Sequence, residues 1–254
     1  MIKLSLVIIA LNEEKNIAKC LEAASSVADE IIIIDSLSTD RTAETSESFG
    51  AKVIQHPFEN FVKQKNIAID AASNDWILSL DADEILSTEL CLSIKTIKEN
   101  PAFDGYFMNR LTNYCGKWVY HCGWYPDAKL RLFNRQKARW TGHLIHEKIE
   151  MSVESQTGKL KGDLLHYSYY SISDHIKQAD KFSAISAQEL FEKGRKATAF
   201  KLVMGPVFKF LRDYVLKMGF LDGFYGYVIC RISEHAAFLK YAHLKNLQKT
   251  SSKK

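Results

Sequence analysis

The sequence predicts an α/β fold with a mostly parallel central sheet and a helical C-terminal appendage. Short apolar runs rich in β-branched residues, such as residues 30–35, are typical of parallel strands that are covered on both faces. Segments with the apolar spacing of helices separate these runs, and this alternation is typical of βαβ units. From residue 172 onward the apolar spacing is helical throughout.

Strand and helix patterns alternate regularly through the first part of the chain. In the first helix, Ile17, Leu21 and Ala24 recur at the spacing of a single helical face. The predicted strands are residues 3–9, 30–35, 52–55 and 76–80. The predicted helices are residues 13–27, a segment that ends at Gly50, residues 63–72 and residues 87–99.

Beyond these elements the pattern changes twice. Residues 104–168 contain strand-like runs rich in aromatic residues and glycine. Helices are then predicted over 172–193, 206–218 and 224–246. We expect Pro206 to be the first residue of the second of these helices and Gly219 to end it.

These patterns predict three regions. Residues 1–170 form one α/β domain, and residues 171–248 form a helical region. We expect the lysine-rich tail, residues 249–254, to be disordered.

The composition indicates an ordinary globular protein whose charge is unevenly distributed. Of the 254 residues, 46% are hydrophobic and 25% are charged. Residues 1–128 hold 11 Lys and Arg against 19 Asp and Glu, whereas residues 129–254 hold 23 against 11. The second half is therefore expected to face an anionic partner such as phosphates, nucleic acid or a membrane surface.

The sequence also favours a cytosolic compartment. The five cysteines are scattered and odd in number, which is typical of reduced structural thiols. The apolar run at residues 4–11 is followed by Asn12-Glu13-Glu14 rather than by a cleavage site, so we interpret it as a buried strand. No stretch reaches the ~18 apolar residues of a spanning helix, and we expect a soluble or peripheral protein.

Acidic clusters follow three of the predicted strands. They are Asn12-Glu13-Glu14, Asp35 with Asp40, and Asp81-Ala82-Asp83. Because ligands bind beyond the carboxyl ends of parallel strands, three such clusters at one sheet edge predict a site. Each cluster alone also has a structural explanation, since Asn12 and Asp40 could cap helices and Asp35 could be a turn residue.

The motif Asp81-Ala82-Asp83 is typical of a site for a divalent cation that is held against a diphosphate. Mg²⁺ and Mn²⁺ prefer oxygen ligands and often use only one or two protein carboxylates, with water and phosphates completing the set. A solvated turn is the competing explanation of the same three residues. The glycine-rich loops of dinucleotide-binding and P-loop proteins are absent from the sequence.

The order and spacing of these motifs resemble the family 2 inverting glycosyltransferases of GT-A fold, which is Rossmann-like. The similarity continues through Gln64-Lys65-Asn66, Arg131-Leu132-Phe133, Trp140-x-Gly142 and His146-Glu147. The later motifs resemble the lipopolysaccharide inner-core β-1,4-glucosyltransferases that act on heptose. This closer similarity extends to the C-terminus through Asp222-Gly223 and Tyr241.

The resemblance implies a role for several residues at the three acidic clusters. Asp35 would accept the uracil N3–H of a UDP-sugar, with Glu13 and the backbone of Ala10 and Leu11 forming the wall of the base site. Asp81 would contact the ribose. Asp83 would bind Mg²⁺ or Mn²⁺ at the diphosphate. Lys65, which is an arginine in many relatives, would contact the nucleotide.

Inversion by a single displacement requires a general base opposite the leaving group. The resemblance assigns this role to Glu147, and Glu150 and Asp127 are the alternatives. The structural explanation of Glu147 is that it pairs with a nearby arginine.

Histidines near Glu147 allow a zinc-hydrolase interpretation, but the pattern argues against it. We predict a strand over residues 140–149, which would send His143 and His146 to opposite faces. By resemblance to several GT-A enzymes, His166 is a candidate ligand of the metal or of a phosphate. A structural role for this lone histidine is the alternative.

The basic second half contains an amphipathic helix. Apolar residues of the segment 200–218 fall on one face and Lys209, Arg212 and Lys217 on the other. Packing of the apolar face on its own domain is the simplest interpretation. The excess of basic residues also favours docking of Lys209, Arg212 and Lys217 on an anionic bilayer surface.

The sequence as a whole predicts a metal-dependent transferase on the cytoplasmic face of the inner membrane. It would move a hexose, most simply glucose, from a UDP-sugar to a lipid-linked heptose of the lipopolysaccharide core. One alternative is transfer to a polyprenyl phosphate or another cell-envelope glycan. A nucleic-acid-binding protein is the non-enzymatic alternative, which we disfavour because the acidic clusters would repel a phosphate backbone.

Overall fold

The structure, a computed structural model, describes residues 1–142 and 147–251. The chain forms two compact units that interleave along the sequence. The first unit consists of Met1–Arg110 and Asp127–His166. The second unit consists of Leu111–Pro126 and the chain from Tyr167 onward. The domain boundaries predicted at residues 170 and 248 stay predictions.

Strands and helices alternate in the first unit as the sequence predicts. The elements are β1 (Leu4–Ala10), α1 (Ile17–Ser25), β2 (Glu30–Asp35), α2 (Thr42–Ser48), β3 (Lys52–Gln55), α3 (Phe61–Asp70), β4 (Trp76–Asp81), β5 (Glu84–Leu86) and α4 (Thr88–Glu99). The later strands of the chain are β6 (Gly105–Tyr114), β7 (Lys117–Val119), β8 (Asp127–Asn134), β9 (Ala138–Thr141), β10 (Lys148–Met151) and β11 (Thr157–Tyr169). Strand β7 lies in the second unit, and β6 and β11 extend into it.

The central sheet has the order β3-β2-β1-β4-β8-β6-β11-β5. Its first four strands are parallel, whereas β8 runs antiparallel to β4 and to β6. Strand β5 is antiparallel to β11 at the end of this order. The α/β fold with a parallel strand set and a helical C-terminal region confirms the predicted fold class.

Strand register places the predicted acidic clusters at one edge of the sheet. Ala10 pairs with Asp35 across β1 and β2, and Ile9 pairs with Asp81 across β1 and β4. Three parallel strands therefore end at the same level, and the loops that follow them begin side by side.

Both faces of the parallel strands are covered by apolar side chains. Leu6 and Ile8 of β1 point to the layer that contains Leu21 of α1. The next residue along the strand, Val7, points to the opposite layer with Ile69 of α3. This two-sided burial explains why the strands are continuously apolar, because successive side chains of a strand point to opposite faces.

The structure corrects the strand predicted over residues 140–149. Strand β9 ends at Thr141 and β10 begins at Lys148, and the two pair as an antiparallel hairpin. Gly142 has a φ of 106°, which lies outside the extended region, and the strand therefore ends before it. Glycine adopts this conformation more readily than other residues. His143 and His146, on which the zinc interpretation depended, lie outside the described residues.

The second unit is mainly helical. Its helices are α5 (Ile172–Glu192), α6 (Ala199–Leu211) and α7 (Gly223–Ser251), with a π-helical turn at Arg212–Leu216 and a 3₁₀ turn at Gly219–Asp222 between the last two. His175 packs edge-on against Tyr114 in the buried centre, and burial lowers the pKa of His175 to about 4. None of the helices in the described part of the chain is both long and apolar enough to cross a bilayer.

The prediction that Pro206 starts a helix is wrong. Helix α6 begins at Ala199, because Thr198 caps it by accepting a hydrogen bond from the Lys201 backbone N–H at 3.2 Å. Pro206 lies inside the helix and is buried. The left-handed residue that ends this helical stretch is Met218, with a φ of 51°, rather than Gly219.

Candidate active site

The loops after β1 and β2 are joined by hydrogen bonds between their polar residues. The Asn12 backbone N–H donates to Ser38 Oγ at 2.8 Å, and the Thr39 N–H donates to Asn12 Oδ1 at 2.9 Å. The Glu14 N–H donates to Asp40 Oδ2 at 3.2 Å. These contacts explain the left-handed conformation of Asn12, with a φ of 56°, because the amide must face the second loop. Two of the three acidic clusters thus form one structure.

The predicted base-reading residue Asp35 is completely buried at the end of β2. Its Oδ2 accepts from the Ser38 N–H at 3.0 Å, and its Oδ1 accepts from the Ser38 hydroxyl. Each oxygen retains a second acceptor position. Ala10 is buried beside Asp35 in the register of β1, whereas half of Leu11 is exposed. The role of these three residues in nucleotide binding stays a prediction.

Glu13 has a raised pKa because it is partly buried. The carboxylates of Asp83, Asp40 and Asp81 raise this pKa further, while a hydrogen bond from Asn16 at 2.8 Å opposes them. The effect of Asp40, Asp81 and Asp83 on one carboxyl group indicates that the three acidic clusters converge. A cation or a positively polarised ligand at this edge would relieve their mutual repulsion.

Asp81, at the end of β4, lies between two buried cations. Lys65 Nζ is 2.9 Å from Asp81 Oδ1, and Arg131 Nη2 is 2.7 Å from Asp81 Oδ2. Burial alone would raise the pKa of Asp81, but Lys65 and Arg131 outweigh it and hold the pKa well below its usual range. Asp81 is therefore an anion at any physiological pH and serves as an acceptor of hydrogen bonds rather than as an acid.

The same guanidinium also binds Glu84, which is fully buried. Arg131 Nη2 is 2.6 Å from Glu84 Oε1, and Glu84 Oε2 accepts from the Asp81 backbone N–H at 3.0 Å. Burial opposes the charge of Arg131, but Glu84 and Asp81 hold its pKa above the usual range. Arg110 adds a more distant positive charge, 3.6 Å from Glu84.

A cavity of about 360 Å³ opens beside this charge cluster. Lys65 Nζ lies 4.2 Å from the centre of the Trp140 ring, a cation–π contact at the wall of the cavity. The indole N–H of Trp140 is buried and has no hydrogen-bond partner within the described residues. The cavity therefore combines an aromatic surface, buried cations and acceptors, which suits a polar ligand with hydroxyl groups.

Asp83 and His166 approach each other although they are far apart in sequence. Strands β5 and β11 pair with His166 opposite Glu84, and this register brings His166 Nε2 to 3.2 Å from Asp83 Oδ2. His166 Nδ1 is buried without a hydrogen-bond partner in the described part of the chain. No cluster of three or more metal-binding side chains forms among residues 1–142 and 147–251. One carboxylate and one imidazole fit a divalent cation that takes its other ligands from a diphosphate and water.

Glu147 lies on the wall of the cavity, one residue before β10. Its Oε1 is 3.9 Å from Lys65 Nζ, so Lys65 stands between Glu147 and Asp81. The cation near Glu147 is therefore a lysine, whereas the structural alternative predicted an arginine. The assignment of Glu147 as the general base stays a prediction.

The two alternative bases are each engaged by cations. Asp127 is 2.7 Å from Arg110 Nη2 and 3.0 Å from Lys129 Nζ; burial alone would raise its pKa, but these cations keep the pKa low. Glu150 pairs with Lys148 at 2.7 Å, and this hydrogen bond lowers its pKa. Neither residue lines the cavity as Glu147 does. The geometry favours Glu147 among the three.

The predicted docking residues lie in the second unit and do not form a free basic face. Lys209 and Arg212 both bind the carboxylate of Asp213, which is buried, and the Arg212 Nε contact is 2.8 Å. Lys217 is exposed. Docking through Lys209, Arg212 and Lys217 stays a prediction.

Three residues of the charge cluster have positions that the sequence pattern did not predict. Arg131 and Trp140 stood in motifs that carried the family resemblance, and Glu84 followed the acidic motif. A charged residue within the apolar run of β8 was a signal for Arg131, since a buried arginine requires a buried anion. The sequence could not indicate which anion that was, because β8 and β4 pair only in the folded protein.

The chain belongs to glycosyl transferase family 2, whose family model matches residues 5–151. This range contains the three acidic loops, the charge cluster and Glu147. The protein is therefore a glycosyltransferase, and the family favours this class over the nucleic-acid-binding alternative.

Several relatives share this class over nearly the whole chain. An uncharacterised glycosyltransferase of Rickettsia typhi is 32% identical over 96% of this chain and 87% of its own length. The lipopolysaccharide core biosynthesis glycosyltransferase LpsC of Rhizobium meliloti is 30% identical over 95% of this chain and 91% of its own length. The solved structure of glucosyl-3-phosphoglycerate synthase from Mycobacterium tuberculosis, in complex with Mn²⁺, UDP and glucosyl-3-phosphoglycerate, is 23% identical with a TM-score of 0.36. That match covers 44% of each chain.

The charge cluster generates a prediction about stability. Replacing Arg131 with methionine removes the shared partner of Asp81 and leaves Glu84 buried without its closest cation. Loss of one member of a buried ion network costs about 3–5 kcal/mol, and we expect the free energy of unfolding in urea to fall by that amount. The matched control is Arg139→Met, because Arg139 pairs with Asp70 at the surface and such pairs contribute about 1 kcal/mol or less. Equal losses in the two variants would contradict the central role of Arg131.

Proposed function

We propose that this glycosyltransferase moves a hexose, most simply glucose, from a UDP-sugar to a heptose of the lipopolysaccharide core, with inversion at the anomeric carbon. The observation that carries the proposal is the convergence of three acidic loops at the edge of the parallel strands, beside the cavity that Glu147 lines. The relative LpsC, named for lipopolysaccharide core biosynthesis, supports the acceptor class.

Donor binding is assigned to the edge formed by β1 and β2. The uracil N3–H is a hydrogen-bond donor, and the fixed carboxylate of Asp35 provides the matching acceptor. Ala10, which pairs with Asp35 in the sheet, would form the wall of the base site together with Leu11 and Glu13, and the ribose hydroxyls would meet Asp81. Because Lys65 and Arg131 already hold Asp81 in place, it accepts hydrogen bonds without reorganisation.

Asp83 and His166 are the residues that would hold Mg²⁺ or Mn²⁺ in this protein. A divalent cation supplies Lewis-acid stabilisation of the charge that develops on the UDP leaving group. The approach of His166 Nε2 to the half-buried carboxylate of Asp83, at 3.2 Å, supports the assignment. Lys65 adds a fixed positive charge on the side of Asp81.

Glu147 is proposed to accept the proton of the acceptor hydroxyl as that oxygen attacks the sugar. Its position on the cavity wall places it where an acceptor would bind, and Lys65 keeps its side chain oriented. The aromatic face of Trp140 offers a stacking surface for a sugar ring in the same cavity. A lipid-linked acceptor implies work at the cytoplasmic face of the inner membrane, as a peripheral protein.

Nucleotide binding provides the first test. UDP with Mn²⁺ should raise the free energy of unfolding by about 2.7 kcal/mol at 100 times its dissociation constant. EDTA should remove most of this gain, and Asp83→Asn should do the same, because both eliminate the cation site at the diphosphate. GDP and ADP should protect far less, since the larger purine rings place their N–H donors elsewhere than the uracil N3–H that Asp35 would read. Asp104→Asn, at a distant carboxylate, serves as the control. Equal protection by all three nucleotides in the presence of Mn²⁺ would refute base reading by Asp35, and undiminished protection by UDP in excess chelator would refute the cation site.

Turnover provides the second test. Glu147→Gln keeps the size of the side chain but removes its ability to take a proton. General-base catalysis contributes about 10²–10⁴-fold, and we expect kcat to fall by this factor with little change in UDP-sugar affinity. Glu150→Gln is the matched control and should stay near wild-type activity. Wild-type turnover in Glu147→Gln would move the role to Glu150 or Asp127.

A further inference from the structure

Helix α6 and the turn that follows it expose a continuous apolar stripe. Phe200, Val203, Val207, Phe208, Leu211 and Val215 recur at helical spacing, and each is between 42% and 64% exposed. The stripe is continued by exposed side chains of the next segment, with Leu216 77% exposed and Phe224 68% exposed. Single exposed apolar residues are ordinary on protein surfaces, but a contiguous set of this size marks an interaction site.

Helix α6 and the turn after it carry apolar residues on two sides, since Phe210 and Tyr214 pack against the core of the second unit while the stripe is exposed. Pro206 and Asp213 are buried, and Lys209 and Arg212 turn toward Asp213. The ion cluster of Asp213 thus lies on the inner side of the helix, and the apolar stripe lies on the outer side. A helix that only stabilised its own unit would bury the stripe instead.

The exposed charges of the segment that carries the stripe have one sign. Residues 195–231 contain seven Lys and Arg and two Asp. The two acidic residues, Asp213 and Asp222, are 2% and 3% exposed, and both bind cationic or donor groups of their own unit. The exposed charges of this segment are therefore all positive, among them Arg195, Lys196 and Lys201.

We propose that the stripe inserts into the boundary between headgroups and acyl chains of an anionic bilayer, with the surrounding lysines and arginines at the lipid phosphates. Apolar side chains flanked by basic ones fit this boundary. A second copy of the chain is a poorer partner, because a two-fold contact would bring positive charge against positive charge. The proposal rests on the proposed function, since a lipid-linked acceptor is presented at such a surface. It differs from docking through a basic face, because here the apolar side chains enter the bilayer.

Vesicle binding tests this surface without any sugar transfer. The stripe variant is Val203→Ser with Leu211→Ser, and the matched control is Val153→Ser with Leu92→Ser, a pair in the first unit that is at least as exposed. Wild type and control should bind vesicles of phosphatidylcholine mixed with phosphatidylglycerol. The stripe variant should bind at least about tenfold more weakly, because two apolar side chains no longer enter the bilayer. Thermal unfolding should be the same for the variant and the wild type, since both residues are exposed.

Salt dependence separates insertion from purely electrostatic docking. Raising the ionic strength screens the basic residues but not the apolar contribution. Wild type should therefore keep part of its vesicle binding at high salt, and the stripe variant should lose nearly all of it. Wild-type vesicle binding in the stripe variant would overturn the proposal. The proposal would also be overturned if the wild-type protein did not bind the vesicles. It would be overturned as well if sedimentation showed a wild-type dimer that the stripe variant no longer forms. Transfer to a soluble acceptor fragment should survive in the stripe variant, so that a failure of the proposed reaction is recognised separately.

Discussion

The buried guanidinium of Arg131 is the interaction on which the rest of the candidate site depends. It joins Asp81 at the end of β4 to Glu84 at the start of β5, and thereby fixes the turn that carries Asp83. Without this cation, two carboxylates would repel each other inside the protein, at a cost that exceeds most single contributions to folding. Lys65 holds Asp81 from the other side and approaches Glu147. One chain of charges therefore runs from the acidic motif to the proposed base.

The parallel strands determine the position of these linked charged residues in the fold. Their register ends β1, β2 and β4 at one level, and the loops beyond them interlock through Asn12 and Ser38. The result is an edge with converging carboxylates, where burial and the acidic neighbours raise the pKa of Glu13. Such an arrangement costs stability in isolation and suits a cation or hydrogen-bond donors from a ligand.

Local patterns predicted the parallel half of the fold because β-branched runs and helical spacing are local properties. The strand over residues 30–35 and the helix over residues 172–193 illustrate this, since the ends of both elements in the structure agree with the prediction to within one residue. The pairing of strands that are far apart in the sequence could not be predicted from such local patterns. The approach of His166 to Asp83 depends on the pairing of β11 with β5, and the role of Arg131 depends on the pairing of β8 with β4. The start of helix α6 was predicted wrongly for another reason. Thr198 caps the helix before the predicted segment begins, and Pro206 is accommodated inside the helix.

We propose that the acidic edge and Glu147 together transfer a hexose to the lipopolysaccharide core. Mass analysis of lipid A–core species tests it most directly, in cells with the gene, without it, and with the gene for Glu147→Gln. We expect a core one hexose shorter in the second and third strains, and a complete core when the wild-type gene is returned. An unchanged core without the gene, or full restoration by Glu147→Gln, would contradict it.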